Sequence, residues 1–171
     1  GDVAFWRIAM RPGRPMAVGR IVHPHAPPRC RSLPPEGADP GLGRPGAGLT
    51  EQGRSAILFG LPGNPVAVMV TFLAFVRPAL LRLMGCTATE PVLLRAQSGE
   101  ALRKKPGRTE YQRGIVTRQA DGALHVRTTG NQGSGVLRSM VEANGLIVLH
   151  HGQGNVAVGD AVDVMMFDGA I

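Results

Sequence analysis

Cysteine and uninterrupted apolar segments are both scarce in this sequence. Its 171 residues include two cysteines, Cys30 and Cys86, which lie in unrelated contexts and form no disulfide framework. Their scarcity favours a reducing compartment, and we expect a cytoplasmic location. The most apolar stretch, 65–84, is interrupted by polar and charged side chains and by Pro78, so we expect no membrane span.

Lysine and the larger aromatic residues are also rare. The chain has 19 basic and 12 acidic residues, for a net charge of +7, but its only lysines are Lys104 and Lys105. One tyrosine and one tryptophan leave little aromatic surface for stacking on bases, and no basic block exceeds three residues. We therefore expect no nucleic-acid partner, while the positive charge remains compatible with a small anionic ligand.

Several catalytic motifs are absent from the sequence. It contains no G-x-S-x-G elbow, no C-x-x-C pair and no pair of carboxylates with catalytic spacing. His23, His25 and Cys30 could ligate a metal, but they lie in a proline-rich and glycine-rich segment that is a poor scaffold for a rigid site. The chain begins at Gly1 without a signal peptide, and we expect it to be a piece of a longer protein.

The first half of the sequence predicts an α/β arrangement. Apolar, β-prone runs at 3–10, 16–22 and 55–59 indicate strands, the last of them buried on both faces. A long helix follows at 65–84 and is expected to bend at its internal proline and to stop at Gly85. Between these elements, 23–54 alternates proline with glycine and has almost no large apolar residue, so we predict a flexible insertion.

The second half of the sequence predicts a small β-barrel. The elements that we expect are a short helix at 134–143 and strands at 91–97, 110–118, 124–129, 146–150 and 156–167, with a hairpin turn at 120–122 and a further turn at 158–160. Short strands at this spacing are typical of a closed or half-open barrel. The predicted fold class is therefore α/β followed by a small β-barrel, with residues 1–88 in the first domain and residues 89–171 in the second.

The strand–loop–helix unit at 60–65 is the strongest candidate binding site. Asn64 is suited to cap the helix and Pro65 to occupy its first turn, where a missing N–H has no cost. A helix N-terminus presents N–H groups and the positive end of the macrodipole to an anion. We therefore take Pro62, Gly63, Asn64 and Pro65 as candidate binding residues. The alternative is that they only shape a tight connection.

Two further loops carry groups that suit anions. Arg11 and Arg14 lie three residues apart on a turn stiffened by prolines, and paired guanidinium groups bind tetrahedral oxyanions. The loop 129–135 offers hydroxyl, amide and backbone donors, among them Ser134. The alternatives are ordinary surface arginines for the first loop and a glycine-rich turn ending in a helix cap for the second.

Taken together, these segments resemble a known family. The segments that carry the resemblance occur in family order: FWRIAMRPGRPMAVGRI, ILFGLPGNPVAVMVTFLAFVRPALLRLMG, KKPGRTEYQRGIV, TTGNQGSGVLRSMVEANGLIVL and VAVGDAVDVMMF. They resemble the C-terminal part of the MoeA/gephyrin E-domain family. Its members are molybdopterin molybdenumtransferases, which insert molybdate into adenylylated molybdopterin with Mg2+ and release AMP.

The resemblance implies a fold and a set of site residues. It identifies the first domain with the end of a MogA-like, molybdopterin-binding α/β domain, and the second with the C-terminal β-barrel domain. The family's KPGKP loop, which holds molybdate or phosphate, matches Arg11 and Arg14, a change from lysine to arginine. The prolines of its PGNP motif match Pro62 and Pro65, and its barrel-loop serine matches Ser134.

The resemblance also implies what this chain lacks. The acidic residues that hold Mg2+ in the family precede the segment that begins here, so we expect the fragment alone to be inactive. The family joins its two strands by a few residues, so 23–54 is expected to be an insertion. Family members form homodimers, and the resemblance implies the same for the full-length protein. Some members act instead as non-catalytic scaffolds that cluster membrane receptors. The alternative function is therefore a scaffold of this kind or a simple anion-binding or pterin-binding module.

Overall fold

The computed structural model describes residues 2–13, 15–22, 55–133 and 137–167. The predicted flexible insertion 23–54, with the metal site considered within it, and the candidate residues Arg14 and Ser134 lie outside this described part of the chain.

The first half forms a three-stranded antiparallel sheet. Its elements in chain order are β1 (Asp2–Arg7), β2 (Met10–Arg11), β3 (Pro15–Val22) and β4 (Ser55–Gly60). The sheet order is β1-β3-β4, so β1 and β4 run in the same direction on either side of β3. The predicted single strand 3–10 is therefore two strands, because the chain bends at Ala9 and β2 leaves this sheet to pair elsewhere.

The prediction that β4 is buried on both faces is wrong for this chain. Ile57 and Leu58 keep 47% and 41% of their surface exposed. The physical reason is that β4 is an edge strand that pairs with β3 alone, and no described layer of the chain covers this end of the sheet.

A helical segment follows β4 and is divided by a π-helical turn. It consists of α1 (Pro65–Thr71), the π-helical turn Phe72–Val76 and α2 (Arg77–Leu83). The turn lies where the internal proline was expected to bend the helix, since Pro78 has no N–H to continue the α-helical pattern.

Both ends of this helical segment follow from local chemistry. Asn64 caps α1 as predicted, because its Oδ1 accepts hydrogen bonds from the amides of Val66 at 3.1 Å and Ala67 at 3.3 Å. At the other end Gly85 adopts a φ of +87°, and its amide donates to the carbonyl of Arg82. This left-handed glycine ends the helix, as the sequence predicts.

The helical segment is apolar enough to be compared with a membrane span. By length and composition alone, its 19 residues from Pro65 to Leu83 could cross a bilayer. A core helix of a soluble protein can have the same length and composition. Val66 and Val70 are fully buried, and Val70 packs in a core with Leu146 of the second half. The first turns of the segment therefore pack into the core that the two halves share.

The second half forms a closed five-stranded barrel. Its elements in chain order are β5 (Leu93–Ser98), β6 (Thr109–Arg118), β7 (Leu124–Thr128), α3 (Arg138–Glu142), β8 (Gly145–Leu149) and β9 (Ala161–Met166). The order β6-β7-β5-β9-β8 closes through pairing of β8 with β6. The predicted barrel is thus closed, with 156–167 divided by a turn before β9.

Strand β8 joins the barrel to the first half because both of its faces are buried. Ile147 and Leu149 contribute to the core inside the barrel. Leu146 and Val148 point the other way and pack with Met10, Val70 and Met165 in a second core. Strand β2 adds a direct link, since it pairs in parallel with the start of β6. The two halves therefore share a packed core and one strand pairing.

The barrel surface carries a carboxylate whose ionisation is coupled to folding. Asp163 of β9 accepts from Arg95 at 2.8 Å, and its Oδ2 lies 2.6 Å from His150 Nε2. The hydrogen bond from Arg95, followed by that with His150, lowers the pKa of Asp163. A lowered pKa in the folded state stabilises the fold above the pKa of the unfolded chain, about 3.9, and this contribution is lost as the pH falls through the folded value.

We therefore expect Asp163→Asn to reduce stability at neutral pH and to have no effect under strongly acidic conditions. The loss at pH 7 should not exceed about 1 kcal/mol, because Arg95 is mostly exposed to solvent. Thermal unfolding of both proteins across pH 2–7 measures the difference. A difference in stability that stays constant across the series would contradict this assignment.

Candidate functional site

A cavity of about 430 Å³ lies between the helical segment and the barrel. The residues that line it from the first half are Arg11, Pro12, Gly13, Pro15, Pro62, Asn64 and Ala67, and those from the barrel half are Arg103, Glu110, Tyr111, Gln112, Arg113 and Gln132. Its volume falls in the range of about 300–1,000 Å³ that is common for small-molecule sites. The cavity is therefore the candidate functional site.

The topology brings the two predicted loops of the first half to this cavity. Because β1 and β4 both pair antiparallel with β3, they end at the same edge of the sheet. The segment after β1 contributes Arg11, the last residue of β2, and the loop after β4 contributes Pro62 and Asn64. Gly63 and Pro65 do not line this cavity, although Gly63 borders a neighbouring depression on the sheet.

The N-terminus of α1 presents the positive end of its macrodipole to the cavity, but few of its N–H groups are free to donate hydrogen bonds. Pro65 has no N–H, and the amides of Val66 and Ala67 donate to Asn64 Oδ1. The amide of Val68 donates to the Asn64 carbonyl at 2.9 Å. The expectation of unpaired N–H groups at this helix start is therefore wrong, because the cap itself satisfies them. What remains for a ligand is the positive end of the macrodipole.

The turn that follows Arg11 packs against the helix through Gly13. Gly13 has a φ of +90°, and a Cβ atom at this position would lie 2.8 Å from Oγ1 of Thr71. Thr71 is 1% exposed, and its Oγ1 has no hydrogen-bond partner in the described part of the chain. The turn and the helix therefore approach as closely as a glycine permits, which fixes the position of the turn beside the cavity.

We expect Gly13→Ala to destabilise the protein by roughly 2 kcal/mol, from a strained left-handed backbone and a contact that forces the turn off the helix. Gly63→Ala is a matched control in the neighbouring loop, because a Cβ atom there meets nothing within 4 Å. Urea unfolding of both variants measures the effect. Equal losses from the two substitutions would show that the Gly13 contact has no special role.

Arg113 is the most unusual side chain at the cavity. It is 1% exposed, and its Nε donates to Ser139 Oγ at 2.9 Å. Its Nη2 donates to the carbonyls of Asn131 at 3.1 Å and Gly133 at 3.0 Å. Neutral oxygens thus hold this guanidinium, and burial lowers its pKa.

The charge of Arg113 is not neutralised by the protein where the structure describes it. Ion pairs among the described residues include Arg95–Asp163, Arg108–Glu110 and Arg138–Glu142, and His150 contacts Asp163. None of them involves Arg113, and its Nη1 has no hydrogen-bond partner among the described residues. A buried cation without an anion is costly, so an anionic ligand in the adjoining cavity would be stabilised.

Sequence reasoning missed Arg113 and found only part of its surroundings. The loop 129–135 was selected for its donors, but in the described residues it presents the carbonyls of Asn131 and Gly133 to the guanidinium. The available signal was an arginine inside an otherwise barrel-forming strand, next to Gly114. Its orientation depends on pairings between strands that are distant in sequence, which single-sequence patterns do not reveal.

The described residues do not fit a magnesium ion at this cavity. Mg2+ needs several oxygen ligands, commonly carboxylates beside substrate phosphates. Glu110 is the one carboxylate lining the cavity among the described residues, and its Oε1 accepts from Arg108 Nε at 2.7 Å. Across the described ranges, no three His, Cys, Asp or Glu residues cluster closely enough to hold a metal.

Comparisons with known proteins identify relatives of nearly the whole chain. The family model described as "Probable molybdopterin binding domain" matches residues 1–82, and that described as "MoeA C-terminal region (domain IV)" matches residues 95–167. The chain is 31% identical over 169 residues to a molybdopterin molybdenumtransferase of Haemophilus influenzae, covering 98% of this chain and 34% of that protein. It is 30% identical over 160 residues to the enzyme of the same name from Nostoc sp., covering 92% and 30%.

The fold is shared with solved structures. The crystal structure of the molybdopterin biosynthesis moeA protein from Pyrococcus horikoshii OT3 superimposes with a TM-score of 0.62 at 19% identity, over 97% of this chain and 33% of that one. The predicted fold class, an α/β part followed by a small barrel, is thereby confirmed. This chain spans about a third of the length of the curated relatives it matches. Matched along nearly its whole length, the chain belongs to the MoeA family.

Proposed function

We propose that this chain acts in molybdenum cofactor biosynthesis as part of a molybdopterin molybdenumtransferase, which inserts molybdate into adenylylated molybdopterin and releases AMP. Two relatives that carry the enzyme's name align over 98% and 92% of the chain. The observation that carries the proposal is the buried guanidinium of Arg113, which has no anionic partner among the described residues and borders the cavity.

The proposed role of the cavity is to bind and orient oxyanions. Arg113 Nη1 donates to the bound oxyanion from within the cavity, while Arg11 and Arg103 supply exposed positive charge at its rim. Such fixed cations stabilise a tetrahedral dianion and the negative charge that shifts between oxygens when a phosphoanhydride is cleaved. Pro12 and Pro62 form rigid walls.

Two residues outside the described part of the chain belong to the proposed site. Arg14 follows Gly13, which lines the cavity, and Ser134 follows Gly133, whose carbonyl accepts from Arg113. We propose that Arg14 adds a second guanidinium to the turn and that Ser134 donates its hydroxyl to the substrate. Both roles rest on the resemblance of their loops to those of the family.

No step of the reaction is assigned to Mg2+ in this chain, since the described residues do not form its site. That its ligands lie in sequence preceding Gly1 stays a prediction, as do a homodimeric assembly, a cytoplasmic location and the domain boundary at residues 88 and 89.

A binding and turnover assay on the purified chain tests the proposal. Adenylylated molybdopterin is expected to bind saturably, and molybdate to bind saturably in its presence, whereas AMP release in the presence of Mg2+ should not exceed that in buffer. A non-catalytic scaffold would give no saturable binding, and that result would overturn the proposed function. AMP release above the buffer rate would contradict only the prediction that the metal ligands lie outside the chain.

A further inference from the structure

On the edge opposite β8, strand β6 lacks a continuous neighbour where it passes the cavity. It pairs with β7 only from Gly114 onward, while β2 covers its other end at Thr109 and Glu110. Arg113 lies in the gap between these two pairings. The amide of Thr129 donates to its carbonyl at 3.1 Å, which satisfies one of the two backbone groups.

The side chain of Gln132 fills this gap as a neighbouring strand would. Its Oε1 accepts from the Arg113 amide at 2.8 Å, and its Nε2 donates to the Arg113 carbonyl at 3.1 Å. The residues on either side of it, Asn131 and Gly133, accept from the Arg113 guanidinium. One short segment therefore fixes both the backbone and the charged end of Arg113.

We propose that Gln132 is a positioning residue for the oxyanion site, acting through Arg113. The inference rests on the proposed function, in which Arg113 Nη1 contacts the oxyanion. By holding the backbone of Arg113, Gln132 limits the directions in which the guanidinium can present its remaining N–H groups to the cavity. A shift of the strand edge would move those donors away from the bound oxyanion.

A second amide on the same strand provides a matched control. Asn144 Oδ1 accepts from the Val116 amide at 2.7 Å, and its Nδ2 donates to the Val116 carbonyl at 2.9 Å. This is the same two-point contact three residues further along β6, but neither Asn144 nor Val116 lines the cavity. Loss of either side-chain amide removes backbone hydrogen bonds of β6, whereas only the loss of Gln132 is expected to affect ligand binding.

The test is a double-mutant cycle read by titration with molybdate, at a temperature well below every unfolding midpoint. Gln132→Met is expected to weaken molybdate binding about 10-fold, while Asn144→Leu lowers the thermal midpoint and leaves binding within about twofold. In an Arg113→Met background, Gln132→Met should cause no further loss, because its effect passes through Arg113. Gln132→Asn, whose shorter amide cannot span both backbone groups, replaces the methionine variant if that variant does not fold.

The cycle distinguishes failure of the positioning role of Gln132 from failure of the proposed oxyanion site. Equal binding losses from Gln132→Met and Asn144→Leu, or a loss that persists in the Arg113→Met background, would overturn the positioning role. If Arg113→Met itself leaves molybdate binding unchanged, the proposed oxyanion site fails instead.

Discussion

Replacing Arg113 by methionine is expected to raise the dissociation constant for molybdate by about 10- to 100-fold. Hydrogen bonds to charged groups contribute roughly 1.5–3 kcal/mol, and each 1.4 kcal/mol corresponds to about a tenfold change in affinity. The effect should be large because Arg113 is 1% exposed, so solvent screens its charge poorly. Isothermal titration of the folded variant measures it.

The control for this substitution is Arg95→Met. Arg95 lies on the barrel surface, pairs with Asp163 and does not line the cavity, so its loss changes the net charge equally without touching the site. We expect binding to Arg95→Met to stay within about twofold of the unsubstituted protein, since exposed charges are well screened. Equal losses from the two variants would mean that overall charge alone attracts the anion.

Truncating Leu146 to alanine is expected to cost about 2–5 kcal/mol of stability, the usual range for a fully buried leucine. Leu146 is 0% exposed and packs with Met10, Val70, Val148 and Met165 in the core shared by the helical segment and the barrel. The cavity left behind would loosen the contact that holds the two walls of the candidate site together.

Leu83→Ala provides the matched comparison, because Leu83 ends α2 and is 60% exposed. Its truncation should change stability by no more than about 0.5 kcal/mol. Urea unfolding of both variants gives the two free energies. If Leu146→Ala costs as little as Leu83→Ala, the two halves do not share a packed core.

The features that sequence predicted well are those set by neighbours along the chain. Asn64 and Pro65 start the helix and Gly85 ends it, because capping and left-handed backbone are local properties. The barrel strands and the turn at Gly122 likewise follow from alternating apolar residues and turn chemistry. The proline and glycine residues likewise identified the segments around Arg11 and Pro62 as candidate binding loops.

The features that sequence missed depend on pairings between distant residues. The departure of β2 from the first sheet follows from its pairing with β6, about a hundred residues later. That pairing, together with barrel closure through β8, brings Arg113 and Gln132 to the loops of the first half. Burial of β4 was mispredicted for a related reason, since an apolar run indicates a preference for burial but cannot say which neighbours are present to cover it.

Binding of the oxyanion in the cavity beside Arg113 can be observed by anomalous diffraction at the molybdenum absorption edge, from crystals of the protein equilibrated with molybdate. The predicted result is an anomalous peak inside the cavity, within hydrogen-bond distance of Arg113 Nη1 and beside Arg11 and Pro62. A peak elsewhere on the surface, or an empty cavity in which another protein group has paired with Arg113 Nη1, would contradict the account.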